Sequence, residues 1–217
     1  MRLTGSPLPE DGQRLVELTA VMARLRAECA WKAGQTHRSL SRYLLEETHE
    51  TLEAIDSGDT EHLREELGDL LLQVWFHAVI AAEDGAFTID DVAADLIAKL
   101  VRRNPHVFGD AISTSTRPDA VTINEVWEAI KASEKQRTSV LDGLPPTLPA
   151  LLLADKVLDR LTRSTPPAEV SEIARRGVTP GDPADDIGER LLALVVEARA
   201  AGVDPEQALR DVVRRLA

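Results

Sequence analysis

The sequence predicts an all-α protein, and three observations carry the fold class. Aromatic residues make up only 3% of the chain while 43% is hydrophobic. The apolar residues are mostly Leu, Ala and Val, which suits helix packing better than sheets. They also recur at three- and four-residue steps through much of the chain. With 217 residues there is enough chain for one sizeable core, or one core and a smaller appendage.

The first predicted helix covers residues 9–28, with Leu15, Leu18, Val21, Met22 and Leu25 at helical spacing. CAWKAGQTHRSL breaks that period and contains Gly34, so Cys29 to about Arg38 reads as a loop, with Ser39 or Ser41 capping the second helix. That helix runs to about Asp56, its apolar side supplied by Leu45 with Leu52 and by Leu44 with Thr48 and Ile55. Ser57-Gly58-Asp59 makes the turn. Thr60 then caps a long helix to about Asp84, buried along Leu63, Leu67, Leu70, Leu71, Val74, Ala78 and Ala81. These two helices should form an antiparallel hairpin.

Thr88 with Asp91 resembles a capping pair opening a helix over 89–103, which ends before Pro105. The polar stretch Ser113 to Asp119 reads as a mobile loop and a candidate lid. Helix returns over 122–138, placing Trp127 and Lys131 one turn apart on one face. The three prolines of LDGLPPTLPALL imply an extended segment before a helix from about 148 to 163. Residues 166–183 are rich in Pro, Gly and small polar residues and read as linker before a last helical segment. A shift of 120 positions lays Glu65-Glu66-Leu67-Gly68-Asp69 on Asp185-Asp186-Ile187-Gly188-Glu189, a weak internal repeat. The expected domains are therefore 1–163, a linker over 164–183, and a C-terminal helical segment over 184–217.

Charge locates the chemistry. The formal net charge is -12, and between residues 46 and 69 ten acidic side chains face one basic one, Arg64. Such a field repels nucleic acid polymers and attracts metal ions. The single cysteine, Cys29, allows no intrachain disulfide, and no stretch approaches the apolar run of a membrane span. A reducing, cytoplasmic setting is the expectation.

Glu46, Glu47 and Glu50 stand three and four residues apart, so all three converge on one edge of a helix, where they repel one another. Glu66 and Asp69 repeat the three-residue spacing on the next helix, and Gly68 between them permits close approach of a backbone or ligand. An oxygen-only donor set selects hard cations, Mg²⁺ or Mn²⁺ before Zn²⁺. The plain alternative for each cluster alone is a solvated acidic face. Mg²⁺ held this way usually completes its shell with waters and substrate phosphates. Cations downstream then gain meaning: Lys99, Arg102 and Arg103 on one helix, and Lys131 one turn after Trp127. For Arg102 and Arg103 the helix dipole is an adequate alternative reason, and Trp127 on pattern alone reads as a core anchor. His37, His49, His62, His77 and His106 show no ligand spacing, and none is assigned to metal.

With these residues assembled, the sequence resembles the MazG family of nucleoside triphosphate pyrophosphohydrolases, within the all-α NTP pyrophosphatase superfamily. The matching runs are CAWKAGQTHRSLSRYLLEETHETLEAI, REELGDLLLQVWFHAVIAAEDGAFTIDDVAADLIAKLVRRNPHVFGD and VWEAIKASEKQRTSVLDGLPPTLPALLLADKV, over about 19–160. The resemblance implies Mg²⁺-dependent cleavage of an NTP substrate to NMP and pyrophosphate by an obligate homodimer, in nucleotide-pool house-cleaning. By position, Glu47, Glu50, Glu66 and Asp69 match metal ligands, and Glu46 matches a glutamate that holds a further metal or orients water. Lys99, Arg103, Trp127 and Lys131, with Arg102 beside them, match nucleotide-contacting positions, and Tyr43 to Glu47 line the same pocket. Where the family usually has CPWD this chain has Cys29-Ala30-Trp31-Lys32, a basic residue replacing an acidic one.

GVDPEQALRDVVRRL resembles the end of the second domain that many members carry, yet 164–184 holds no EExxE counterpart. The expectation is a remnant that serves packing or dimerisation. Two rivals stay open. One keeps the enzyme and changes the substrate to a deoxynucleotide or a damaged base; the other is a catalytically silent helical dimer that binds nucleotide or a partner protein as a stress regulator.

Overall fold

The computed structural model describes residues 12–109, 119–134, 138–164 and 181–216. Among them there is helix and no strand, as expected. The chain divides into two compact units, Met1–Ile130 and Lys131–Ala217.

In the first unit, α1 (Gln13–Glu28) turns Leu18, Met22 and Leu25 toward the core and leaves Leu15, Val16 and Val21 exposed. The expected loop after it contains a single helical turn, α2 (Ala30–Ala33). Its conformation is set by Arg26, whose guanidinium donates to the carbonyls of Lys32, Ala33 and Gln35 and pairs with Glu83 at 2.5 Å. This arginine supplies the donors that a loop of this kind needs when it lies against a helix.

The next helix, α3 (His37–Ser57), starts earlier than expected because Thr36, not Ser39 or Ser41, is the cap. Ser39 instead completes a reciprocal box, its hydroxyl accepting from the Thr36 N–H at 2.9 Å. Gly58, at φ 72, ends the helix in the left-handed conformation that favours glycine. Asp59 rather than Thr60 caps α4 (Thr60–Glu83), accepting from the N–H groups of Glu61 and His62.

The two helices pack as the expected antiparallel hairpin, α4 largely on its expected side and α3 on another. On α3 the inward stripe is Leu40, Glu47, Thr51 and Ala54, while Leu44, Leu45 and Ile55 are exposed. On α4 Ala78 and Ala81 are buried and Leu63, Leu70 and Leu71 half-buried, as expected, joined by buried Gln73, Trp75, Phe76 and Ile80, while Leu67 and Val74 are exposed. Met22, Leu40, Trp75, Phe76 and Ile80 form the core of this unit. The Trp75 indole N–H is satisfied by the Thr19 hydroxyl at 3.0 Å. His37 and His77 stack nearby with their Nδ1 atoms 2.7 Å apart, and burial followed by the His37 charge pushes the pKa of His77 down.

Thr88 and Asp91 form the expected capping box of α5 (Ile89–Arg103), and Pro105 opens the one-turn α6 (Pro105–Phe108). Of the candidate lid, only Asp119 is described, and it caps α7 (Ala120–Ser133) by accepting from Thr122 N–H at 2.8 Å.

In the second unit, the proline-rich run is a chain of turns rather than extended: Asp142 N–H donates to Ser139 O, Leu144 to Leu141 and Leu148 to Pro145. Thereafter α8 (Ala150–Ser164) packs with α9 (Pro183–Ala200) around Leu158, Leu161 and Val195, and α10 (Pro205–Arg214) lies against both helices. Arg199 ties α9 to α8 through Asp155 at 2.5 Å and Asp159 at 3.2 Å. Of the expected linker over 164–183, residues 165–180 lie outside the described residues, while Ser164 ends α8 and Pro183 opens α9. Helices α4 and α9 end alike, with Ala86 N–H on Ala81 O and Val203 N–H on Ala198 O, both 2.9 Å, but three residues out of the register of the internal repeat. That ending is common to helices closed by glycine, so the likeness is one of local chemistry.

Candidate functional site

The hairpin brings the two acidic clusters together. Three carboxylates, Glu47 from α3 with Glu66 and Asp69 from α4, place oxygens within 4.8 Å of one another, and all three residues are half-buried. Glu50 stands one turn from Glu47 and is exposed. Glu46 is exposed on the same helix.

Burial, then the charges of Asp69 and Glu50, a hydrogen bond to Glu50 and the charge of Glu66 together raise the pKa of Glu47. A divalent ion would relieve that crowding, and the donors are hard oxygens suited to Mg²⁺ or Mn²⁺. The residues therefore fit a hard cation.

Three residues at this site escaped the sequence reading. His62 Nε2 lies 3.1 Å from Glu66 Oε1, a contact its four-residue spacing from Glu66 could have signalled. Thr51 donates its hydroxyl to Glu47 O at 2.7 Å and stands 3.5 Å from Glu66 O. Gln73 donates an amide N–H to Glu47 Oε1 at 3.4 Å. Gln73 falls four residues after Asp69 and seven after Glu66, the spacing of one helix face.

At Gly68 no described atom outside the local chain lies within 4 Å of an added Cβ, so no neighbouring backbone uses that glycine. Tyr43 packs on the first core with Trp31 edge-on at 6.0 Å and the Arg42 guanidinium 5.0 Å from its ring. Among the downstream positions, Arg103 and Trp127 meet, guanidinium over indole at 5.4 Å. Lys99 is half-buried on α5, Arg102 exposed beside it, and Lys131 half-buried in the last turn of α7. No helix among the described residues is long and apolar enough to cross a membrane.

Comparison with known proteins agrees with this geometry. The model of the MazG nucleotide pyrophosphohydrolase domain matches residues 35–108, which span α3, α4, α5 and α6. A nucleoside triphosphate pyrophosphohydrolase of Mycobacterium tuberculosis is 49% identical over 78% of this chain, which spans about half, 51%, of that relative. The nucleoside triphosphate pyrophosphohydrolase/pyrophosphatase MazG of Thermotoga maritima is 38% identical over 96% of this chain and 84% of its own length. An uncharacterised protein of Streptomyces cacaoi is 46% identical over 92% of this chain and 78% of its own. With identity sustained over nearly the whole chain and most of the Thermotoga protein, this chain belongs to the MazG family of nucleotide pyrophosphohydrolases.

Proposed function

We propose that this chain hydrolyses ribo- or deoxynucleoside triphosphates to the nucleoside monophosphate and pyrophosphate, using Mg²⁺ with Mn²⁺ as a substitute. The observation that carries the reading is the Glu47–Glu66–Asp69 cluster, three oxygens within 4.8 Å on a hairpin of the family's domain. When bound, the ion supplies charge neutralisation on the triphosphate and a more acidic water. Glu47, Glu66 and Asp69 hold it, with Glu50 as the fourth carboxylate. Glu46 orients the attacking water. Lys99, Arg102 and Arg103 balance the charge of the departing pyrophosphate, and Lys131, one turn beyond Trp127, has the same role. Tyr43 and Trp127 hold the nucleoside end. The setting is cytoplasmic, the task house-cleaning of the nucleotide pool, and the working unit a homodimer.

Product analysis on a panel of NTPs and dNTPs tests the chemistry. Pyrophosphate and monophosphate should appear together with Mg²⁺ and vanish with Glu66→Gln. Stepwise release of phosphate, or no release with either ion, overturns the reading.

Catalysis belongs to residues 1–163, joined by a 164–183 linker to a 184–217 segment that serves packing or dimerisation. In that segment Asp186 is exposed and Glu189 half-buried, and neither joins an acidic cluster of three among the described residues. Asp186→Ala and Glu189→Ala should therefore keep full turnover. Loss of turnover with the fold intact would give the C-terminal segment a catalytic part.

A further inference from the structure

Among the described residues only two polar or charged residues are buried, Thr51 and Gln73, and both attend the carboxylate cluster. Thr51 spends its hydroxyl on backbone carbonyls, Glu47 O first. Gln73 is different, because its amide reaches a cluster side chain.

Gln73 is 4% exposed, its Nε2 donates to Glu47 Oε1, and its Oε1 has no hydrogen-bond partner among the described residues. A buried amide oxygen without a partner costs stability. A leucine or methionine of similar volume would fill this place, which adjoins Phe76 one turn on, without that cost. What neither can supply is an N–H on the Glu47 carboxylate. With Glu47 ionised, as a cation ligand must be, the amide turned over would set Oε1 against a carboxylate oxygen, acceptor against acceptor.

We propose that Gln73 is a positioning residue for the metal site: its N–H holds the Glu47 carboxylate toward Glu66 and Asp69, so the three oxygens are assembled before an ion arrives. A glutamate side chain turns about three bonds, and the neighbouring carboxylates push this one away. One fixed donor behind it opposes both. Outer-sphere hydrogen bonds of this kind set the orientation of ligands and are worth about 10–100-fold in metal affinity or activity. The inference rests on the metal-dependent reading above.

The test is Mn²⁺ binding to the full chain without nucleotide, followed by electron paramagnetic resonance, alongside melting in EDTA. For Gln73→Leu the dissociation constant should rise about 10–100-fold while the EDTA melting point stays level or climbs. In turnover, the Mg²⁺ concentration for half-maximal rate should rise similarly, with kcat largely recovered at saturation. A purely structural glutamine gives the reverse pattern, a lower melting point and unchanged Mn²⁺ affinity, and that result overturns the proposal. Should Gln73→Leu not fold, Gln73→Met carries the same measurement. Glu66→Gln separates the two readings. If it binds Mn²⁺ as wild type does, the metal site itself is wrong and both fall; if it is impaired while Gln73→Leu is not, only the role of Gln73 falls.

Discussion

Glu47 carries the electrostatic strain of the site, since burial and the carboxylates of Asp69, Glu50 and Glu66 all favour its protonated form. A carboxylate whose folded pKa lies above the ordinary 4.5 contributes stability below that value and loses it as pH rises through the folded pKa. In EDTA, Glu47→Gln should therefore melt with wild type near pH 4.5 and above it at pH 7 to 8, the gap opening as pH rises. Its Mg²⁺-dependent turnover should fall by about a hundredfold or more. Scanning calorimetry across pH with pyrophosphate assays checks both, and a gap that closes on raising the pH refutes the sign. The carboxylates themselves were legible, because EExxE and ExxD spacings are visible without a fold. Thr51 and Gln73 were not: helical spacing puts Gln73 on the face of Glu66 and Asp69, but the part each plays depends on burial between two helices, which spacing does not show.

At the scale of elements, most punctuation could be read directly: Gly58, the Thr88–Asp91 box and Pro105 act where the sequence places them. What misled was the inward face of α3. Its stripe of Leu40, Glu47, Thr51 and Ala54 holds the site's own carboxylate and hydroxyl, so it scores as polar, while Leu44, Leu45 and Ile55 on other faces score as core and are exposed. A functional site written into a packing seam defeats hydrophobic periodicity at that seam. The hairpin turn is the element to perturb. Gly58 has φ 72, and nothing lies within 4 Å of an added Cβ, so Gly58→Ala meets backbone strain alone. It should cost about 1 kcal/mol, a drop of roughly 2–4 °C in melting point for a chain of this size. Because Glu47 and Glu66 sit on opposite arms of that turn, a stability loss with unchanged Mg²⁺ requirement would show that helix packing, not the turn, fixes their register.

For the whole molecule, the exposed apolar residues of the first unit are the feature a single chain leaves unexplained. Leu45 at 61%, Ile55 at 54%, Leu67 at 49% and Ile97 at 56% exposure lie on α3, α4 and α5, the same helices the family model covers. Singly, such residues are ordinary; spread over three successive helices they are where the pairing proposed above would draw its apolar contact. In a closed pair related by a two-fold axis, each helix meets its partner's equivalent patch, so one charged substitution per chain is felt twice. Leu45→Lys with Ile55→Lys should thus shift the sedimenting mass from twice the 23.7 kDa of the chain to that of one copy. Neither side chain reaches inward on the α3 seam, so the helical content of the double variant should survive. Its turnover should fall with the loss of pairing and recover in part at high protein concentration, where mass action restores the dimer. A wild-type chain that sediments as one copy at micromolar concentration while turning over substrate would place the whole reaction on a single hairpin and leave those leucines and isoleucines to a different partner.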